Sequence, residues 1–144
     1  MSTLEPSTVG AFAYHEEPGE PYMSERQRTH FRDRLLAWKR QLMEEVDRTV
    51  AHMQDDVTHY PDPNDRASQE SDFGIELRAR DRERKLLRKI NETLRDIESG
   101  DYGYCEVCGA EIGLRRLEAR PTATQCIECK TFQENHERRK AQHP

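Results

Sequence analysis

His59-Tyr60-Pro61-Asp62-Pro63-Asn64-Asp65 interrupts the longest periodic stretch of the chain and divides it in two. Two prolines within three residues cannot lie inside a helix, because each lacks an amide donor and clashes with the preceding turn, but Pro63 suits the first turn of a following helix. Working back from this break, Phe31, Leu35, Trp38, Leu42, Val46, Val50, Met53 and Val57 recur at steps of three and four, one face of a continuous helix. Ser24 with Gln27 three residues on forms the capping pattern that starts such a helix. The successive steps of four from Trp38 to Val50 depart from a strict heptad, so a supercoil should relax there. Working forward, Phe73 and Leu77, a charged interval, then Leu87, Ile90, Leu94 and Ile97 form a second series that Gly100 ends. Two helices of similar length joined by a short turn predict a long antiparallel coiled-coil hairpin over residues 24–99, with its tip near 60–66. At about 1.5 Å per residue, each arm is roughly 50 Å long. Neither apolar face is wide enough to sustain a helix alone; each arm is the other's core.

Composition agrees with a thin molecule. Of 144 residues, 33% are hydrophobic and 35% charged, against a usual charged share of about a quarter. So little apolar material cannot fill one wide core, and a metal staple suits what remains. The net charge of -5 opposes nonspecific nucleic-acid binding, which needs a basic surface, and favours a protein partner. Residues 1–23, with Pro6, Pro18, Gly19 and Pro21, read as an extended lead-in lying on or near the globular end. That stretch has no basic n-region and no long apolar run, so it is not expected to be a signal peptide. No run approaches the roughly 20 apolar residues of a membrane span. The expected location is the cytoplasm, where thiols stay reduced.

Residues 100–144 carry the four cysteines and a C-terminal helix. The spacing is Cys105-x2-Cys108, seventeen residues, then Cys126-x2-Cys129. Each pair lets two sulfurs reach one ion, and two pairs complete a tetrahedral shell for one structural zinc. Gly109 permits the tight turn that aims backbone amides at sulfur. Arg115, Arg116, Arg120 and Lys130 lie close in sequence and could offset the charge of four thiolates. Four protein sulfurs leave no position open for a catalytic water. A dithiol redox centre is the competing reading of the same residues. His15, His30, His52, His59, His136 and His143 show no metal-ligand spacing, and no phosphate-binding glycine loop or Ser-His-Asp pattern is present. A catalytic role is therefore not expected.

Two surface features remain. Asp62 and Asp65, with Ala67 just beyond, sit at the predicted tip; they are either caps of the second helix or carboxylates delivered into a narrow site on a partner. Arg78, Arg82, Lys85 and Lys89 fall at steps of four, three and four and share one helical face. That face is either simply solvated or holds a phosphate-rich ligand.

Gly100-Asp-Tyr-Gly-Tyr-Cys105-Glu-Val-Cys108-Gly109, Ile112, Arg116-Leu-Glu-Ala-Arg120-Pro121 and Cys126-Ile-Glu-Cys129-Lys130 together resemble the signature of the DksA/TraR family. Asp62-Pro-Asn-Asp65-Arg-Ala67 resembles its Asp-x-x-Asp-x-Ala tip. The resemblance runs from Tyr22 to about Lys130, and the full cysteine set matches the zinc-binding members. It implies a bacterial transcription regulator, a monomer, that binds RNA polymerase through its secondary channel without sequence-specific DNA contact. Asp62 and Asp65 would lie near the polymerase active centre, and Arg82 matches a polymerase contact. The globular end would act with guanosine tetraphosphate (ppGpp) to destabilise promoter complexes at stable-RNA genes and favour others. By position the nucleotide-binding residues would be Lys89, Arg120 and Lys130, with Leu86 packing nearby; cations gathered there would repel one another unless an anion is expected. Two rivals stay open. A transcript-cleavage factor also uses tip carboxylates, there to help hold catalytic Mg2+, though the four-cysteine segment speaks against it. A plain zinc-ribbon nucleic-acid binder is opposed by the acidic balance.

Overall fold

The computed structural model describes residues 14–56 and 63–142. Four helices follow one another: α1 Glu25–Asp56, α2 Pro63–Ser99, α3 Leu114–Ala119 and α4 Ile127–Gln142. Among the described residues the only β pairing is an isolated antiparallel bridge between Tyr104 and Glu111. The mainly helical class expected from the periodicity is therefore what the chain adopts. The chain divides into two units, Leu36–Glu92 and Met1–Leu35 with Thr93–Pro144.

Helix ends obey local chemistry. The N–H of Gln27 donates to Ser24 Oγ at 3.2 Å, capping α1. The reciprocal half of the capping pattern is displaced by one residue: Gln27 Oε1 accepts from the N–H of Met23 at 2.7 Å, because the N–H of Ser24 is already used by Pro21 O at 3.2 Å. Pro63 opens α2, where its missing donor costs nothing. Gly100, at φ 87, closes it, and the N–H of Asp101 donates to Asp96 O at 3.0 Å, the six-to-one bond of a Schellman end.

In the unit Leu36–Glu92, α1 and α2 run antiparallel. His52 pairs with Glu76 at 3.0 Å, and Glu45 faces Glu83 closely enough to help raise its pKa, after the larger effect of burial. Seven residues separate the partners on each helix, one heptad in opposite directions. Trp38, Leu42, Ala79 and Ile90 are buried there, and Val46 and Val50 are half-buried. The second apolar series needs one correction. Leu77 is 41% exposed, whereas Ala79 is buried. Counting back from Ile90 by seven and then four reaches Glu83 and Ala79; Leu77 lies two residues away, on nearly the opposite side of the helix. A small residue thus continues the seam through the charged interval. Val57 and the Met53 side chain lie outside the described residues.

In the other unit, Phe31, Leu35, Ile97, Tyr102, Ile112 and Leu117 are buried, with the Phe31 and Tyr102 rings 5.6 Å apart. Phe31→Ala should cost about 3–5 kcal/mol of unfolding free energy, and Leu77→Ala at most about 0.5 kcal/mol. Urea unfolding followed by circular dichroism checks both; equal losses would contradict this assignment of the seam.

Candidate metal centre

The first cysteine pair lies on a tight knuckle. Gly109 has φ 75, a conformation that a Cβ disfavours. Its N–H donates to Cys105 O at 2.9 Å, and the N–H of Cys105 donates to Ala110 O at 2.7 Å. The second pair opens α4: Cys126 directly precedes Ile127, and the N–H of Cys129 donates to Cys126 Sγ at 3.5 Å. The N–H of Glu106 donates to Thr124 O at 2.9 Å, tying the first knuckle to the approach to the second, and Arg116 Nε of α3 donates to Gln125 O at 2.9 Å.

All four cysteines are free thiols, and their Sγ atoms lie within 4.8 Å of one another. Cys108 and Cys126 are 3.8 Å apart at sulfur, the edge of a tetrahedron whose metal–sulfur bonds are about 2.3 Å. Backbone amides of Cys108 and Cys126 hold the Cys105 thiol down to about 6. Hydrogen bonding to Cys126 and Cys108 pushes Cys129 up to about 12. Four thiols this close cannot all ionise unless a cation supplies the charge. The donor set and spacing fit a zinc ion bound by sulfur alone.

Loops around the knuckles are clasped by tyrosines. Tyr22 Oη donates to Gly103 O at 2.6 Å and accepts from the N–H of Gly113 at 3.0 Å. Gly103 has φ 95, and a Cβ on it would meet Met23 Cγ at 2.8 Å. Tyr102 Oη donates to Pro121 O at 2.7 Å, and burial pushes its hydroxyl pKa well up. Around Glu118 three donors meet: the N–H of Tyr14 at 3.1 Å, His30 Nε2 at 2.7 Å and the Arg34 guanidinium at 2.5 Å. Arg34 also donates to the Glu118 carbonyl at 3.0 Å. Glu20 binds the hydroxyls of Tyr14 and of Ser24, and the Tyr14 bond holds its carboxyl down to about 2. Its anchoring of Tyr14 is thus complete above the ordinary value of 4.5 and lost only as pH falls toward 2.

The other residues singled out by sequence fall as follows. Asp62 and the His59–Pro61 part of the turn lie outside the described residues; Asp65 and Ala67 belong to the start of α2, with their side chains outside the description. Arg78, Arg82, Lys85 and Lys89 are all exposed and Leu86 is half-buried, in the unit Leu36–Glu92. Arg120 is exposed just after α3, and Lys130 is half-buried on α4, 3.9 Å from Glu134; both belong to the other unit. His136 stacks on Phe132, and His143 lies outside the description. Nothing in the sequence singles out Tyr14, Tyr22, Arg34 or Glu118, and His30 shows there only the absence of metal-ligand spacing. Glu118 meets His30 and Arg34 across 88 and 84 residues, a pairing no local pattern encodes.

Paired helices carrying a four-cysteine knuckle define a small helical protein of the C4 zinc-finger class. The chain belongs to the DksA family. Residues 27–97 match the model described as "DnaK suppressor protein DksA, N-terminal domain", and residues 100–135 match "Prokaryotic dksA/traR C4-type zinc finger". It is 60% identical over 133 residues to the RNA polymerase-binding transcription factor DksA of Escherichia coli K12, covering 92% of this chain and 88% of that protein. Its identity to the protein of the same name from Haemophilus influenzae is 57%, over 92% of each chain. The solved structure of transcription factor DksA2 from Pseudomonas aeruginosa superposes with a TM-score of 0.78 at 44% identity, covering 81% of this chain and 90% of that one.

Elemental analysis should return one zinc per chain. Chelation, or Cys108→Ser, should melt residues 100–130 while leaving most helical circular dichroism intact, since binding and folding are linked at such sites. A folded, metal-free protein with two disulfides would contradict this.

Proposed function

We propose that this protein is a bacterial transcription regulator that acts by binding RNA polymerase directly. The observation that carries the reading is its 60% identity, over 92% of the chain, to a protein named as an RNA polymerase-binding transcription factor. The identity covers 88% of that relative, and the family matches span both the helical pair and the cysteine segment. The net charge of -5 supports a protein partner over DNA. No described helix is long and apolar enough to cross a membrane, and the protein works in the cytoplasm as a monomer.

In this proposal the helical hairpin enters the secondary channel of the polymerase. Asp62 and Asp65 bring negative charge toward the active centre, with Ala67 beside them, and Arg82 contacts the enzyme. The cysteines Cys105, Cys108, Cys126 and Cys129 hold one structural zinc, which shapes the knuckles and does no chemistry of its own. Leu86, Lys89, Arg120 and Lys130 occupy the positions that match the family's ppGpp-binding residues. Lysine and arginine suit a tetraphosphate because charge-assisted hydrogen bonds contribute roughly 1.5–3 kcal/mol each. The protein and ppGpp then destabilise promoter complexes at stable-RNA promoters and favour others. The chain is a regulator and carries no catalytic residue.

Transcription with purified polymerase from a stable-RNA promoter tests the proposal. The protein should lower transcript yield, and ppGpp should deepen the effect. Asp65→Asn should reduce polymerase affinity only modestly and abolish most of the regulation; normal regulation by both Asp62→Asn and Asp65→Asn would reduce these residues to helix caps. The Lys89→Ala, Arg120→Ala double variant should lose most of the ppGpp response, and an unchanged response would remove these residues from the nucleotide site.

A further inference from the structure

Arg120 stands between two pinned points of the backbone. Two residues before it, Glu118 is gripped by Arg34 and His30 of α1 and by the Tyr14 amide. The Arg34 side chain is only 6% exposed and that of Glu118 23%, so this partly buried pair is screened less than a surface one. One residue after Arg120, the carbonyl of Pro121 accepts from the buried Tyr102 hydroxyl at 2.7 Å. The backbone of Arg120 itself is fully used: its N–H donates to Arg116 O at 2.8 Å, and its carbonyl accepts from the N–H of Ala123 at 3.0 Å. Yet its side chain is exposed, and its guanidinium makes no hydrogen bond or ion pair among the described residues. A charged group left unpaired on a rigidly held backbone is pre-organised for an anion, because less freedom is lost on binding.

We propose that Glu118 is the positioning residue of the anion site to which Arg120 belongs, fixing Arg120 through the backbone without touching the ligand. The inference rests on the reading of Arg120 as a ppGpp-binding residue. Pairing with Arg34 and His30 serves a second purpose. A carboxylate two residues from Arg120 would otherwise compete with a phosphate for its guanidinium and repel the ligand; here its charge is turned inward and neutralised. Tyr102 is the companion pin on the other side.

The test is the dependence of polymerase regulation on ppGpp concentration, measured with the full-length, zinc-loaded protein. Glu118→Gln should raise the half-effective concentration roughly tenfold, equivalent to about 1.4 kcal/mol. The effect without nucleotide and the effect at saturation should both stay as they are. In an Arg120→Ala background Glu118→Gln should shift nothing further, since two residues acting through one contact are not additive. Tyr102→Phe, which keeps the ring and removes one hydrogen bond, should move the half-effective concentration in the same direction; it also carries the test if Glu118→Gln fails to fold. No shift in either variant, or the same shift with Arg120 absent, would overturn the inference while leaving the nucleotide reading intact. A wild-type protein indifferent to ppGpp would overturn that reading and this inference together.

Discussion

Four sulfur atoms within 4.8 Å of one another make a site that cannot exist as four thiolates without a cation, and the loops around it depend on that cation. Between the end of α2 and the start of α4 the buried side chains are few: Tyr102, Ile112, Leu117, Pro121, Thr122 and two of the cysteines themselves. Such a core is too small to order the loops. Structural zinc sites contribute on the order of 10–16 kcal/mol to folding, more than these few side chains can. Everything built on the loops, including the Tyr22 clasp on Gly103 and Gly113 and the short helix that carries Glu118, inherits its order from the metal.

A second layer of constraint is polar. Glu118, Arg34, His30 and the amide of Tyr14 join α3, α1 and the segment preceding α1 through one carboxylate. Loss of one partner of such a partly buried pair strands the other charge, which costs far more than the pair contributes. The same arrangement leaves Arg120 outward-facing beside it.

The fold was legible where periodicity or spacing carries it. The steps of three and four through Phe31, Leu35, Trp38 and Leu42 marked the buried face of α1, Pro63 and Gly100 marked the ends of α2, and the paired cysteines marked the cluster. The sequence misled at Leu77 and Ala79, because hydrophobicity ranks leucine above alanine while seam register depends on angle alone. It was silent about Glu118 and its partners, since a contact across more than eighty residues leaves no local trace. Gln27 lay between these cases: its capping role was visible, but the shift of its acceptor to the N–H of Met23 depends on the turn at Pro21.

An acidic chain with exposed basic residues on one face of α2 and carboxylates at the start of that helix is suited to a protein partner and poorly suited to free DNA. Direct engagement of RNA polymerase is the central claim, and equilibrium binding of the fluorescently labelled, zinc-loaded protein to polymerase core enzyme in the absence of DNA tests it most directly. The account predicts saturable binding with one protein per polymerase, and no measurable association with promoter DNA alone. Failure to bind the core enzyme, or binding that appears only when DNA is added, would contradict it.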